Sequence, residues 1–242
     1  SIAVSLARGA PLRRLVQTRA LRLQVLRGLT LVSSLSMLFF ALKYLPLAEA
    51  TVLSFTSPLW IVAFSAFVLR EKVGWRRWSA VVVGLGGAAI VMRPGSEIFQ
   101  WLAVLPLVGA IFFALYTIVT RVIGGRDPFE TTMFYSFGVA AAAVLAVAAL
   151  TDWQWPNAWE WSQIALMAAL GCAGHFGMLQ ALAWADASLV APFNYVRVLW
   201  AIGLGYLWFG AIPSVWTFTG GGVVIASGLY VLWRETRRRP PA

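Results

Sequence analysis

Apolar runs of about 20 residues, each long enough to cross a hydrocarbon core about 30 Å thick, recur along this chain and leave room for little else. Eight can be delimited: A at 24–45, B at 49–69, C at 75–93, D at 99–120, E at 130–150, F at 162–184, G at 188–209 and H at 214–233. Inside lipid a backbone must satisfy its own hydrogen bonds, which only helices and closed barrels achieve. The runs are rich in Leu, Ala, Gly and Val and lack the period-2 alternation of an outer-membrane strand, so each predicts a helix. A soluble domain is about half apolar and about a quarter charged, whereas this chain is 60% hydrophobic and 12% charged. The expected class is therefore an all-α polytopic membrane protein in one body, with no separate soluble domain.

The charges are sorted by side. Arg8, Arg13, Arg14, Arg19, Arg22 and Arg27 precede span A. Arg70, Lys72, Arg76 and Arg77 lie between B and C, Arg121 and Arg126 between D and E, and Arg234, Arg237, Arg238 and Arg239 near the C-terminus. If the spans alternate, all of these share one face, and only Lys43, Arg93 and Arg197 do not. By the positive-inside rule that face, with the C-terminus, is cytoplasmic. The net charge of +10 thus sets orientation, and no nucleic acid is expected as a partner. Trp153, Trp155, Trp159 and Trp161 crowd the E–F loop, as indoles do at headgroup level. Cys172 is the only cysteine and His175 the only histidine, so neither a disulfide, a thiolate metal cluster nor any cofactor is expected.

Part of the chain is written twice. Ala48-Glu49-Ala50-Thr51 opens span B as Ala185-Asp186-Ala187-Ser188 opens span G. With one small gap, Trp78 then lies over Trp216, Gly84 over Gly222 and Ala88 over Ala226, matching C to H. Ala41-Leu42-Lys43-Tyr44 at the end of A loosely matches Ala181-Leu182-Ala183-Trp184 at the end of F. The unit is five spans, an odd number, so the second copy enters the membrane from the opposite side. Inverted repeats of this kind are a recurring architecture of secondary transporters, whose sites lie near the midplane between the halves. The expected division is 1–95 for a first, incomplete repeat and 96–242 for the second. By the same arithmetic the mates of D and E belong upstream of A, with Ser1–Ala7 the tail of one. The chain is expected to lack its first repeat's first helix and most of its second, leaving about eight full spans.

The stretches Tyr44-Leu45-Pro46-Leu47-Ala48-Glu49-Ala50-Thr51, Ser54-Phe55-Thr56-Ser57-Pro58-Leu59 and Gly74-Trp75-Arg76-Arg77-Trp78 resemble the first half of an EamA-type permease of the drug/metabolite transporter superfamily. Gly174-His175, Ala187-Ser188-Leu189-Val190-Ala191-Pro192-Phe193-Asn194-Tyr195 and Ala226-Ser227-Gly228-Leu229-Tyr230 resemble the second. The resemblance covers essentially the whole chain and implies ten helices in two five-helix halves around a central cavity. It also implies cytoplasmic termini and movement of small metabolites across the bacterial inner membrane. Its motifs are mostly helix-packing signatures and do not name a solute. One departure is Ala211, where the family usually carries an acidic residue like Glu71 at the end of span B.

Arg197 is the sharpest candidate for chemistry. It lies nine residues into span G, or about 13 Å of helix rise. Insertion of such an arginine costs about 2.5–3.5 kcal/mol, and charges at that depth are usually paired and functional. No carboxylate sits at a comparable depth in any span. The guanidinium suits a carboxylate or phosphate, which its planar fork can hold at two points; capping neighbouring carbonyls is the structural alternative. Asn194 shares its helical face, Tyr195 and Trp200 flank it, and Pro192 interrupts the helix just before it. Pro58 does the same in span B, beside Ser57. His175, Gln180, Tyr116 and Tyr135 are further candidates to line the cavity. The Gly84-x-Gly86-Gly87 and Gly220-Gly221-Gly222 clusters are read as helix-packing sites, because they lie inside spans with no preceding strand.

These residues favour a secondary transporter of a small organic solute, amino-acid-like or nucleoside-like and able to carry a carboxylate. Exchange or facilitated transport is preferred over carboxylate-based proton coupling. The expected partners are that solute and the membrane lipids, with the protein a monomer or homodimer. A flippase for lipid-linked or other amphiphilic molecules, or a truncated permease without activity, are the alternatives. An intramembrane hydrolase lacks the paired base or metal ligands it would need.

Overall fold

The computed structural model describes residues 17–71, 73–93, 101–123, 126–127, 129–151, 155–184 and 196–236. Among the described residues there are helices and no strand. They are α1 (Leu21–Ala41), α2 (Leu47–Ser54), α3 (Ser57–Val68), α4 (Trp75–Met92), α5 (Val104–Ile123), α6 (Phe129–Ala149), α7 (Ala158–Trp184), α8 (Val196–Phe209) and α9 (Val215–Thr236), with one 3₁₀ turn at Trp101–Ala103 leading into α5. Span B is thus two helices, and among the described residues each of the other predicted spans is one. Leu21–Ala41, Leu47–Val68, Trp101–Ile123 and Val215–Arg234 are long and apolar enough to cross a bilayer.

The helices are dressed for lipid rather than water. The buried residues of α1 are Gln24, Arg27, Gly28, Thr30, Ser34 and Ala41, while Leu26, Leu29, Leu35, Phe39 and Phe40 are exposed. Polar groups face the protein and apolar ones face out. In water this pattern would leave large apolar surface unburied; in a bilayer it is the stable arrangement. It also corrects the expectation that Arg27 precedes span A. The helix starts before the apolar run does, and Arg27 lies in its second turn with 1% of its surface exposed.

The two glycine-rich helices, equivalent in the repeat, pack on each other along their length. A Cβ added at Gly220 would meet the Gly87 carbonyl oxygen at 2.5 Å, and one at Gly87 would meet the Gly220 carbonyl oxygen at 2.9 Å. Gly84 approaches Ser227 on one side of this crossing, and on the other the Arg93 guanidinium lies 5.7 Å from the Trp216 ring. Positions rise along α4 as they fall along α9, so equivalent helices run antiparallel, as an inverted repeat requires. At about 27 Å of rise, α4 accompanies α9 across the same depth despite the arginines of its first turn.

Equivalent spans also end alike. At the end of α3, Glu71 N–H donates to the Ser65 carbonyl at 3.2 Å; at the end of α8, Ala211 N–H donates to the Gly205 carbonyl at 3.1 Å. Both are six-to-one closures that need a left-handed residue just past the helix. Gly210 fills that place in α8 (φ 60°) and Arg70 in α3 (φ 52°). A side chain in this conformation costs about 1–2 kcal/mol that glycine avoids. Arg70→Gly is therefore expected to raise stability by about 0.5–1 kcal/mol after its larger unfolded-state entropy, read as a higher midpoint in tryptophan-fluorescence melts; a lower one would contradict the capping assignment. Glu71 pairs with Arg121 at 3.4 Å, both side chains well exposed, a contact worth little to stability and one that Ala211 cannot make.

The broken pair α2–α3 is the hub, packing on α4, α5, α8 and α9. Ala50, Val52, Leu53, Phe55, Ala88, Val198 and Val224 form the main core around it. A second cluster, Leu59, Val62, Ala80, Val81 and Val231, fills the Arg-rich end. α1 packs instead on α5 and α6.

Candidate solute site at the broken helix

The break follows from Pro58, which has no N–H to offer the Ser54 carbonyl. The chain tightens through Phe55 and Thr56. Phe55 N–H is shared between the Thr51 (3.2 Å) and Val52 (3.1 Å) carbonyls, Thr56 N–H donates to Leu53 at 3.1 Å, and Leu59 N–H turns to Thr56 at 2.9 Å. Regular i to i−4 bonding thus lapses at the Ser54 and Phe55 carbonyls. Nearby hydroxyls are already used within the helix: Thr51 donates to the Leu47 carbonyl at 2.6 Å, Ser54 to Ala50 at 2.8 Å and Thr56 to Leu53 at 2.7 Å. Ser57, at the first position of α3, is half-buried.

Arg197 meets this break. Its guanidinium lies over the Phe55 ring, 4.9 Å from the centroid, a cation–π contact that strengthens where water is excluded. On α8 it shares a stripe with Ala201 and Gly205, at intervals of four. Both are buried, and Gly205 faces Leu47 of α2. Arg197 is nonetheless exposed. Arg197 thus lies on the face of α8 turned towards α2 while its own side chain is exposed. Among the described residues no carboxylate is within ion-pairing distance of Arg197; Glu49, at the start of α2, instead accepts from the Thr217 hydroxyl at 3.1 Å.

Trp60 adds a donor that was not foreseen. Its indole N–H is buried with no hydrogen-bond partner among the described residues. Counting from Thr51 and Ser188, which hold equivalent places in the repeat, Trp60 and Arg197 are each the ninth residue on. The signal was therefore present in the repeat, as a polar-tipped side chain at the same place in each copy, two residues past Pro58 and five past Pro192.

The remaining candidates scatter. Trp200 is exposed beside Leu199 on the outer face of α8. Asn194, Tyr195 and Pro192 lie outside the described residues, as do the side chains of His175 and Gln180 in α7. Tyr116 packs instead on Arg27, and the Tyr135 ring packs on Phe134. The Arg27 guanidinium donates to Tyr116 Oη at 3.0 Å and to the Thr132 carbonyl at 3.1 Å, and it sits 4.9 Å from the Tyr116 ring centroid. The Tyr135 carbonyl lies beside Gly28. One turn before, Gln24 donates to Asp127 at 2.9 Å and to the Thr132 hydroxyl at 3.3 Å. Asp127 also accepts from the Thr18 hydroxyl and from Arg19 N–H at 3.0 Å. Burial pushes the Asp127 carboxyl upward, but these hydrogen bonds and the Arg19 charge outweigh it and hold the group below its usual range. This network ties α1 to α5 and α6. Sequence reasoning missed it by counting Arg27 as a flanking charge.

The profile of the EamA-like transporter family matches residues 2–93 and 100–233. The chain belongs to that family. This EamA-like transporter is 30% identical over 216 residues to an S-adenosylmethionine uptake transporter of Rickettsia prowazekii, covering 88% of this chain and 72% of the relative. It is 29% identical over 229 residues to a riboflavin transporter of Vibrio cholerae, covering 94% of this chain and 76% of the relative. A solved protein crystal structure superposes with a TM-score of 0.61 at 25% identity, over 98% of this chain and 84% of that one. An EamA-like transporter is a multi-pass membrane protein, in keeping with the outward apolar faces described above.

Proposed function

We propose that this EamA-like transporter carries a small organic metabolite across the bacterial inner membrane by alternating access, with the C-terminus in the cytoplasm. Its two halves divide near residues 95–96. The solute is amino-acid-like or nucleoside-like and bears a carboxylate, which Arg197 holds at the α2–α3 break. The observation that carries this reading is the exposed Arg197 on the protein-facing stripe of α8, over Phe55. A helix bent at the repeat interface is the kind of place where transporters bind solutes. Phe55 and Trp60 add flat apolar surface and an N–H donor for a heteroaromatic ring. The named solutes of the relatives support the size class: riboflavin contains a fused heteroaromatic ring, and S-adenosylmethionine joins a nucleoside to an amino-acid carboxylate.

The test is a binding panel of amino acids, organic acids and nucleoside derivatives, including S-adenosylmethionine and riboflavin, on the full chain in detergent. Arg197→Ala is expected to weaken carboxylate-bearing ligands about 30-fold to a hundredfold, the loss of one charge-assisted contact of about 2–3 kcal/mol. Arg197→Lys is expected to recover only part, since an ammonium lacks the two-point fork. Neutral ligands should change little. Equal affinity of wild type and Arg197→Ala for every carboxylate-bearing ligand would remove Arg197 from the site.

A further inference from the structure

A second site, bordered by arginines, lies at the opposite end of the α4–α9 pair. Gly74, Trp75, Arg76, Arg77 and Arg234 line a cavity of about 150 Å³ between the start of α4 and the end of α9. Arg77 is 9% exposed, and its Nε is buried with no hydrogen-bond partner among the described residues. A buried N–H without a partner is costly, and here it belongs to a guanidinium that borders an open cavity. Arg76 stacks on the Trp75 ring, 5.5 Å from its centroid, and Trp75 is 73% exposed. Gly74 caps α4 without a side-chain hydrogen bond, which leaves the positive end of that helix facing the same space.

We propose that this cavity binds a phosphate group, with Arg77 as the buried anchor and Arg76 and Arg234 as its outer walls. Three guanidiniums and a helix N-terminus supply donors for several anionic oxygens. Two sources share that chemistry: the headgroup of an anionic phospholipid and a soluble phosphate. The lipid is the better fit. Trp75 stands at the mouth as an interfacial indole, and basic pockets between transmembrane helices on the cytoplasmic side hold anionic headgroups. The site joins corresponding helices of the two halves, so an occupied cavity braces them at one end.

Melting of the full chain, purified free of lipid in detergent, tests this with phosphatidylglycerol, the uncharged-overall phosphatidylethanolamine and inorganic phosphate as added probes. Phosphatidylglycerol is expected to raise the wild-type midpoint by about 3 °C or more, as a ligand bound only by the folded state does. Phosphatidylethanolamine should raise it less. The rise should vanish in Arg77→Met and fall in Arg234→Gln, while Arg121→Gln, whose partner is Glu71, keeps it. Without lipid, Arg77→Met should melt no lower than wild type, because it removes a buried group whose Nε has no partner among the described residues. A purely structural role for Arg77 predicts a lower midpoint in both conditions. A rise with inorganic phosphate at low millimolar concentration that is lost in Arg77→Met keeps the phosphate site and reassigns its occupant. A rise from phosphatidylglycerol that is equal in wild type, Arg77→Met and Arg234→Gln, or no rise from any probe in wild type, overturns the proposal.

Discussion

Gly220→Val should be the most damaging single change in the membrane body, destabilising it by about 3 kcal/mol or more, at the upper end of overpacking costs. Even the first atom of a side chain there would lie 2.5 Å from the Gly87 carbonyl oxygen, 2.6 Å from Val91 Cγ2 and 3.0 Å from the Val91 nitrogen. Two of these are backbone atoms, which cannot rotate away, so α4 and α9 must separate. Close backbone approach is what small residues allow between membrane helices, where no hydrophobic force compensates for a lost fit. Gly87→Val should behave alike. Gly86→Ala and Gly222→Ala are the controls, since a Cβ at either meets nothing within 4 Å. Each should be neutral or gain up to about 1 kcal/mol from reduced backbone freedom. Folded yield and thermal midpoint in detergent check this; a folded, wild-type-like Gly220→Val would mean the helices do not cross there.

The second large effect is at Arg27, where two substitutions should part company. Arg27→Ala is expected to cost about 2–4 kcal/mol, from two lost charge-assisted hydrogen bonds and the cavity left between α1, α5 and α6. Arg27→Met should cost no more than about 1 kcal/mol, because an apolar chain of similar length fills the space and removes a charge whose Nε has no partner among the described residues. Equal losses in both variants would show that the charge itself, rather than the packed volume, holds α1 to its neighbours.

Much of this architecture was legible in the residues. The eight spans, the matching of C to H and the interruption at Pro58 all follow from run length, repeat spacing and the missing proline N–H. Which glycine sits at the crossing did not follow. The repeat lays Gly84 over Gly222, yet a Cβ at Gly84 would strike Leu59 at 2.4 Å, while Gly222 faces open space. Small residues identify a face that permits approach; the contact point depends on the crossing angle and axial offset, which one sequence does not encode. Arg27 was hidden for a different reason. An arginine before an apolar run reads as an anchor at the membrane surface, and only the polar stripe of Gln24, Arg27 and Ser34 hints at an inward face. At the candidate site, the place of Arg197 nine residues into span G was readable. Its contact with Phe55 comes from two helices brought together by tertiary packing.

The central claim is that a solute crosses this protein at the α2–α3 break, held by Arg197. Uptake into proteoliposomes containing the full chain tests it most directly, using labelled amino acids, organic acids and nucleoside derivatives on wild type and Arg197→Ala. The expected result is saturable, protein-dependent flux of at least one carboxylate-bearing solute. That flux should fall at least about tenfold in Arg197→Ala, the minimum implied by losing one charge-assisted hydrogen bond. Undiminished flux of that solute through a folded Arg197→Ala protein would contradict the account, as would the absence of protein-dependent flux for the whole panel.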